Sequence, residues 1–252
     1  MSKKTLREFV KHDSIKNVKK NVLKIDLNYK RLIQFCSGTE NIERTNKNVA
    51  LTNIAKGTHR SLSLLANNLS DDYDITLIAL CARNLFELNI RLRSIIEDEN
   101  SLNKWMSEMV MDEKQIIDAI STIANDNHTT ELELFENKKK LNDSILDQNN
   151  LKSVKSPETV KSIAEKIGEQ EEYTALFKLF SKLLHPTSYL INRHNEASCI
   201  YSFNILIVSA QKYAFDMFER LKIELNVPEG VLKPWWCYIL LRCITWWWNV
   251  NH

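Results

Sequence analysis

Residues 72–98 read DYDITLIALCARNLFELNIRLRSIIED, and this stretch decides the fold. Leu77, Cys81, Leu85, Leu88, Leu92 and Ile96 recur at helical spacing. Ala79, Ala82, Phe86 and Ile90 widen the apolar surface around most of the cylinder. A helix apolar on most sides has no wide face to give to water and belongs in the middle of a bundle. Asp71 and Asp72 stand near its start, where carboxylates cap free amides and oppose the helix dipole. Within it Arg83 and Glu87 lie four apart and share a face, with Arg91 two turns on from Arg83. Charges among apolar neighbours persist when they are paired and hydrogen-bonded. The line is therefore an ion pair bracing neighbouring helices, or one wall of a cleft with Arg83 aimed at an anionic group, or a row that simply faces solvent.

A second stretch, residues 177–189 (FKLFSKLLHPTSY), is suited to meet the first. Tyr173, Phe177, Phe180, Ser181 and Leu184 share a helical face, and His185 lies four beyond Ser181. Pro186 ends that helix just after His185. The imidazole then sits at a helix C-terminus, where the dipole favours its cationic form. If the two helices are neighbours, Arg83, Glu87, Ser181 and His185 make one polar cluster in an apolar wall. A histidine titrating near neutrality can take or give a proton, and an arginine can hold a phosphate or a developing oxyanion in a bidentate grip. Glu87 and Ser181 would orient them. The plainer reading is a satisfied core histidine beside a structural brace. Neither a metal nor a cofactor is called for.

Composition supports an all-α chain. Among 252 residues there are only 4 Gly and 4 Pro, so breakers are few and periodic runs are long. The net charge of +2 hides an asymmetry: residues 1–24 carry +6, leaving −4 for the rest. Such a basic arm can touch a phosphate backbone or lie as a solvated amphipathic helix. The five cysteines, Cys36, Cys81, Cys199, Cys237 and Cys243, form no C-x-x-C pair, which fits reduced, buried thiols in a cytoplasmic protein. The N-terminus has no apolar core of the kind a secretory signal needs. Heavy use of Lys, Asn and Ile points to an AT-rich prokaryote or a mobile element.

In chain order, residues 3–24 read as one or two short basic helices and 27–36 as another, so 1–40 form a basic N-terminal helical arm. A helical bundle follows over 41–225. Its first helix starts at Asn46 and carries Gly57 inside it, with His59 and Arg60 off the apolar stripe and exposed. Residues 101–124 give an amphipathic helix with Trp105, Met109, Ile116, Ile117 and Ile120 inward. Residues 125–155 form a projecting polar hairpin, and Ser156 caps a helix with Pro157 in its first turn. A long helix spans 196–225. The final segment, 226–252, is a Trp-rich C-terminal helix packing on the bundle or on a second copy. Its apolar run of about fifteen residues, with Arg242 inside, is short of the roughly 20 needed to span a bilayer. Its aromatic ends nonetheless leave contact with a membrane surface open.

Residues 83–93 (RNLFELNIRLR), followed about a hundred residues later by 180–189 (FSKLLHPTSY), resemble a family of uncharacterised prokaryotic helical proteins. That family is a domain of unknown function with an Arg-x-x-x-Glu helix and a Ser-x-x-x-His helix. The likeness runs from Asn46 to Leu221 and implies a fold and a site rather than a reaction. A looser likeness is to HEPN domains, helical bundles that often act as metal-independent ribonucleases in toxin and antiphage systems. Their signature is an Arg, usually followed by a polar residue, with four to six residues between it and a following His. Arg83-Asn84 matches the first half without a following His, whereas Arg7–His12 fits the spacing but lies in the basic arm.

Two functions are expected from this reading. The first is a HEPN-like metal-independent ribonuclease or toxin-type effector in antiphage defence. His185 is then the base on a ribose 2′-OH and Arg83 the stabiliser of phosphorane-like charge. Glu87 and Ser181 position them, and Arg91, Lys182, Arg193, Lys19 and Lys20 hold nucleic acid. The second is a non-catalytic helical adaptor of a defence or mobile-element complex. RNA, a second defence protein and a second copy of the chain are the expected partners.

Overall fold

In the computed structural model, residues 10–38, 40–124 and 128–232 are described, and among them the chain is helical without strands. The long helices are α1 (Ile15–Ser37), α2 (Asn46–Asn68), α3 (Ile75–Glu97), α4 (Glu99–Ser121) and α5 (Thr129–Gln148). They are followed by α6 (Val160–Lys166), α7 (Gln170–Leu184), α8 (Ser188–Asn192), α9 (His194–Ala197), α10 (Ile200–Glu224) and α11 (Glu229–Leu232). The all-α bundle read from the sequence is what forms. Among the described residues no helix is long and apolar enough to cross a membrane.

The described residues divide into two compact units, one from 10–89 with 175–232 and one from 90–174. The divisions fall inside α3 and inside α7.

In the first unit, α1 is one helix rather than the separate short ones expected. Ser14 accepts from the Asn17 amide at 3.2 Å to start it, and nothing between Lys24 and Leu27 stops it. Val18, Val22, Ile25, Tyr29 and Leu32 are buried, so from residue 15 onward the expected basic arm is a core helix with lysines on its outer side. The Tyr29 hydroxyl donates to the Ala214 carbonyl at 2.7 Å, and burial pushes its pKa well above the usual phenol range. Buried Gln211 of α10 accepts from the Lys11 amide at 3.1 Å and donates to the Lys11 carbonyl at 2.8 Å, tying down the chain ahead of α1. At the start of α3 the capping carboxylate is Asp74, which accepts from the Thr76 amide at 2.7 Å; Asp71 and Asp72 are exposed. Phe86 packs on Phe180 and Tyr213, with ring centroids 5.9 and 4.8 Å apart.

In the second unit, Asp98 alone separates α3 from α4. Its amide donates back to the Ser94 carbonyl at 3.0 Å, while its carboxylate accepts from the Asn100 and Ser101 amides at 3.0 and 3.1 Å. One residue thus ends one helix and begins the next. Helices α4 and α5 pair as an antiparallel hairpin over a core of Val110, Leu146 and Leu151. Ion pairs Lys114–Asp143, Lys138–Glu113 and Lys139–Asp118 lace it. The hairpin corrects one expectation: Met109, Ile116 and Ile120 face outward. Helix α5 approaches on the Val110/Ile117 strip, and the neighbouring strip of Met109 and Ile116 lies roughly 100° around the helix. The cap of α6 also differs, being Thr159, which accepts from the Ser162 amide at 3.2 Å, rather than Ser156.

The Trp-rich C-terminal segment, with Cys237, Arg242 and Cys243, lies outside the described residues, as does Arg7.

Candidate functional site

Two elements carry the cluster expected from the sequence. Arg83 Nε donates to Glu87 Oε1 at 2.7 Å, and its guanidinium lies 5.6 Å from the Phe177 ring centroid. Helices α3 and α7 therefore do meet in the first unit, as Phe86 and Phe180 also show. Phe177, rather than Ser181, is the residue beside Arg83. Ser181 is half-buried one turn on, and His185 is exposed just past the end of α7. Among the described residues no hydrogen bond or ion pair joins Ser181 or His185 to each other, to Arg83 or to Glu87. The Arg83–Glu87 pair closes on itself against an aromatic face, an arrangement that braces two helices.

The expected nucleic-acid contacts are scattered. Lys20, Lys182 and Arg193 are exposed, and Arg193 pairs with Glu196 at 3.6 Å. Lys19 donates to the Leu69 carbonyl at 3.1 Å. Arg91, in the second unit, is engaged on every side. It pairs with Glu108 at 3.1 Å, donates to the Glu158 carbonyl at 2.6 Å and covers the Trp105 ring at 5.0 Å from its centroid. Glu108 in turn accepts from the Glu158 amide at 2.6 Å. With side chains 14 % and 6 % exposed, Arg91 and Glu108 form a buried brace.

A different site emerges where α1 and α2 pack antiparallel. Asp26 of α1 has a side chain only 4 % exposed and lies 2.5 Å from Nδ1 of His59 on α2, whose side chain is 27 % exposed. Ser63 donates to Asp26 Oδ1 at 3.2 Å, and Lys30 lies 3.4 Å from the same carboxylate. An ionised carboxylate only accepts, so the proton between Asp26 and His59 belongs on Nδ1. In neutral His59 the free lone pair is then on Nε2. Ser63 approaches the Asp26 side of the imidazole, 3.4 Å from Nδ1, so this is not a serine nucleophile on its base. It is a His–Asp dyad with an available base.

The dyad lies in a basic surface. Helices α1 and α2 together hold Lys16, Lys19, Lys20, Lys24, Lys30, Arg31, Lys47, Lys56 and Arg60, against Asp26 as their sole acid. Helical spacing and the Asp26–His59 register put Lys16, Lys20 and Lys30 of α1 on one outer strip with Lys56 and Arg60 of α2. All five are exposed. Leu23, Leu27 and Leu64 are exposed among them, giving apolar surface between the cations.

Sequence reasoning missed His59, which it placed in solvent. One signal was present: Asp26 falls on the buried stripe of Val18, Val22, Ile25 and Tyr29, and a lone acid there requires a partner. Which residue would supply it depends on the α1–α2 register, which periodicity does not give.

The elements and the site define an all-helical protein with a basic two-helix surface around a His–Asp dyad. The chain belongs to a family of unknown function, DUF5677, whose model matches residues 50–198. That span contains His59, Arg83, Glu87, Ser181 and His185, while Asp26 precedes it. No curated protein and no solved structure matches the chain.

Proposed function

We propose that this chain is an RNA-acting effector of a prokaryotic toxin or antiphage system, HEPN-like in class, that cleaves RNA at the α1–α2 surface without a metal. The observation that carries this reading is the combination of nine basic residues, one acid and a partly exposed imidazole on two adjacent helices. Lys16, Lys20, Lys30, Lys56 and Arg60 hold phosphates, and exposed Leu23, Leu27 and Leu64 lie against bases or sugars. His59 Nε2 takes the proton of a ribose 2′-OH, and that oxygen attacks the neighbouring phosphorus. The P–O5′ bond breaks, leaving a 2′,3′-cyclic phosphate and a 5′-hydroxyl that takes its proton from water. Asp26 holds the imidazole in the tautomer this needs and stabilises the imidazolium that forms. Lys56 and Arg60, beside His59 on α2, stabilise the phosphorane-like charge.

Single-stranded RNA binding and cleavage in EDTA test the reading. About five phosphate contacts give a slope of log K against log salt of roughly −3.5. Charge reversal at Lys20 and Arg60 should weaken binding at least tenfold, and His59→Gln should abolish cleavage while binding survives. RNA left intact by wild-type protein, with affinity indifferent to the reversals, would refute it. His185→Ala separates the two candidate bases and is expected to cleave normally.

The closed Arg83–Glu87–Phe177 contact favours a second reading, a non-catalytic adaptor in which the polar residues of α3 are structural. Under that reading wild-type protein binds RNA no better than the charge-reversed variant.

A further inference from the structure

The outward strip of the α4–α5 hairpin is an unpartnered apolar face. On α4 it holds Met109, Ile116 and Ile120, with Ile123 in the turn just past the helix end; on α5 it holds Leu134 and Leu141. Met109, Ile116 and Ile123 are spaced by seven, as are Leu134 and Leu141. The two strips lie on one side of the hairpin. In α4 the exposed strip is about 100° from the Val110/Ile117 strip that meets α5. In α5 it is about 110° from the Asn142/Leu146 strip that meets α4, and the antiparallel sense turns both the same way. The ion pairs set the register: Lys114–Asp143 and Lys139–Asp118 place Leu141 level with Ile116 and Leu134 level with Ile123. The six side chains are 44 % to 81 % exposed. Together they leave on the order of 600 Å² of apolar surface in water, the bulk of the roughly 800 Å² that each partner gives to a standard interface.

We infer that this face joins two copies of the chain, hairpin to hairpin, as an antiparallel four-helix bundle. A seven-residue repeat on two neighbouring antiparallel helices is the pattern such bundles bury. Charge selects a second copy over another partner. A two-fold axis brings the same patch onto itself, so a face with net charge would repel its copy. Here the charges between the strips, Glu113 and Lys138, cancel each other at 3.3 Å. With that pair neutralised, the middle of the face offers a copy apolar surface to bury. This inference stands apart from the RNA reading, since it rests on the second unit alone.

The test is the mass of the full chain in solution, by light scattering and sedimentation equilibrium over a wide concentration range. The expected result is about twice the 29.4 kDa of one chain at micromolar concentration. The variant I116K/I123K changes two exposed positions, so it should keep its helical content and run at the single-chain mass. A second variant, Tyr201→Lys, is exposed in the first unit and should remain dimeric. A wild-type mass of one chain at all concentrations would overturn the inference. A dimer that survives I116K/I123K with normal helical content would do the same, by placing the contact elsewhere.

Discussion

Arg91→Met is the most informative stability variant, because it separates a nucleic-acid contact from a brace. Methionine keeps much of the stem against Trp105 but removes the charge. The Glu108 carboxylate, with its side chain 6 % exposed, is then left buried with the Glu158 amide for company. Removing one partner of a buried ion pair costs about 3–5 kcal/mol. At roughly 2–4 °C per kcal/mol for a chain of this size, the melting temperature should fall by about 6–20 °C. Replacing both partners, as R91M/E108L, removes the stranded charge; what remains is the loss of partners for the Glu158 amide and carbonyl, the amide costing about 1–3 kcal/mol and the carbonyl already lost in Arg91→Met. The double variant should therefore be more stable than Arg91→Met alone. Urea titrations of wild type, both single variants and the double close the cycle. A loss below about 1 kcal/mol for Arg91→Met, or a double variant as weak as the sum of the singles, would refute the brace. If RNA affinity is measured on the same folded variants, the brace predicts that it is unchanged.

Three further outcomes follow from local geometry. Gly57→Ala should stabilise the protein by about 0.5–1 kcal/mol, because helix interiors favour alanine and the new methyl would sit 3.5 Å from Leu88, ordinary contact; urea titration reads it. Thiol alkylation followed by peptide mass analysis should modify Cys199 before Cys36 and Cys36 before Cys81. The Ser202 amide and hydroxyl hold the Cys199 thiol below its usual range, while burial raises Cys36 and pushes Cys81 up to about 12. Asp98→Ala should lower the melting temperature at neutral pH but lose its effect in acid. The Ser101 hydroxyl and the Asn100 amide hold the Asp98 carboxyl below its ordinary 3.8. A carboxyl depressed by folding adds stability above its unfolded value and loses it as pH falls through the folded one. The gap between wild type and variant should thus be steady above about pH 5 and close below the lowered value.

The fold was legible because its signal is periodic. The apolar run from Leu77 to Ile96 announces a central helix, and it forms as Ile75–Glu97. Pro186 marks the end of the helix that closes at Leu184. Azimuth was less legible. Ile116 and Ile117 are adjacent in the chain, and only the approach of α5 decides that Ile117 goes inward and Ile116 outward. The site was least legible, because it depends on pairs distant in sequence. Arg83 and Glu87 are four apart and their pairing was readable, whereas Asp26 and His59 meet only through the register of α1 on α2. The proximity of Arg83 to His185 was conditional on their two helices being neighbours, a contact that periodicity alone does not give. Two long helices can touch at Phe86 and Phe180 while their polar residues look elsewhere.

The joint at Asp98 leaves the chain no slack. A loop of several residues absorbs an insertion, but one capping residue between two 23-residue helices cannot. A single added residue there would turn α4 by roughly 100° and advance it by about 1.5 Å. That turn would carry Glu108 away from Arg91 and rotate the strip of Met109, Ile116 and Ile123 out of its plane. Seven added residues, close to two full turns, would bring the azimuth back to within about 20°. Length at this joint is therefore quantised: it can change by about two turns of helix at once, or not at all.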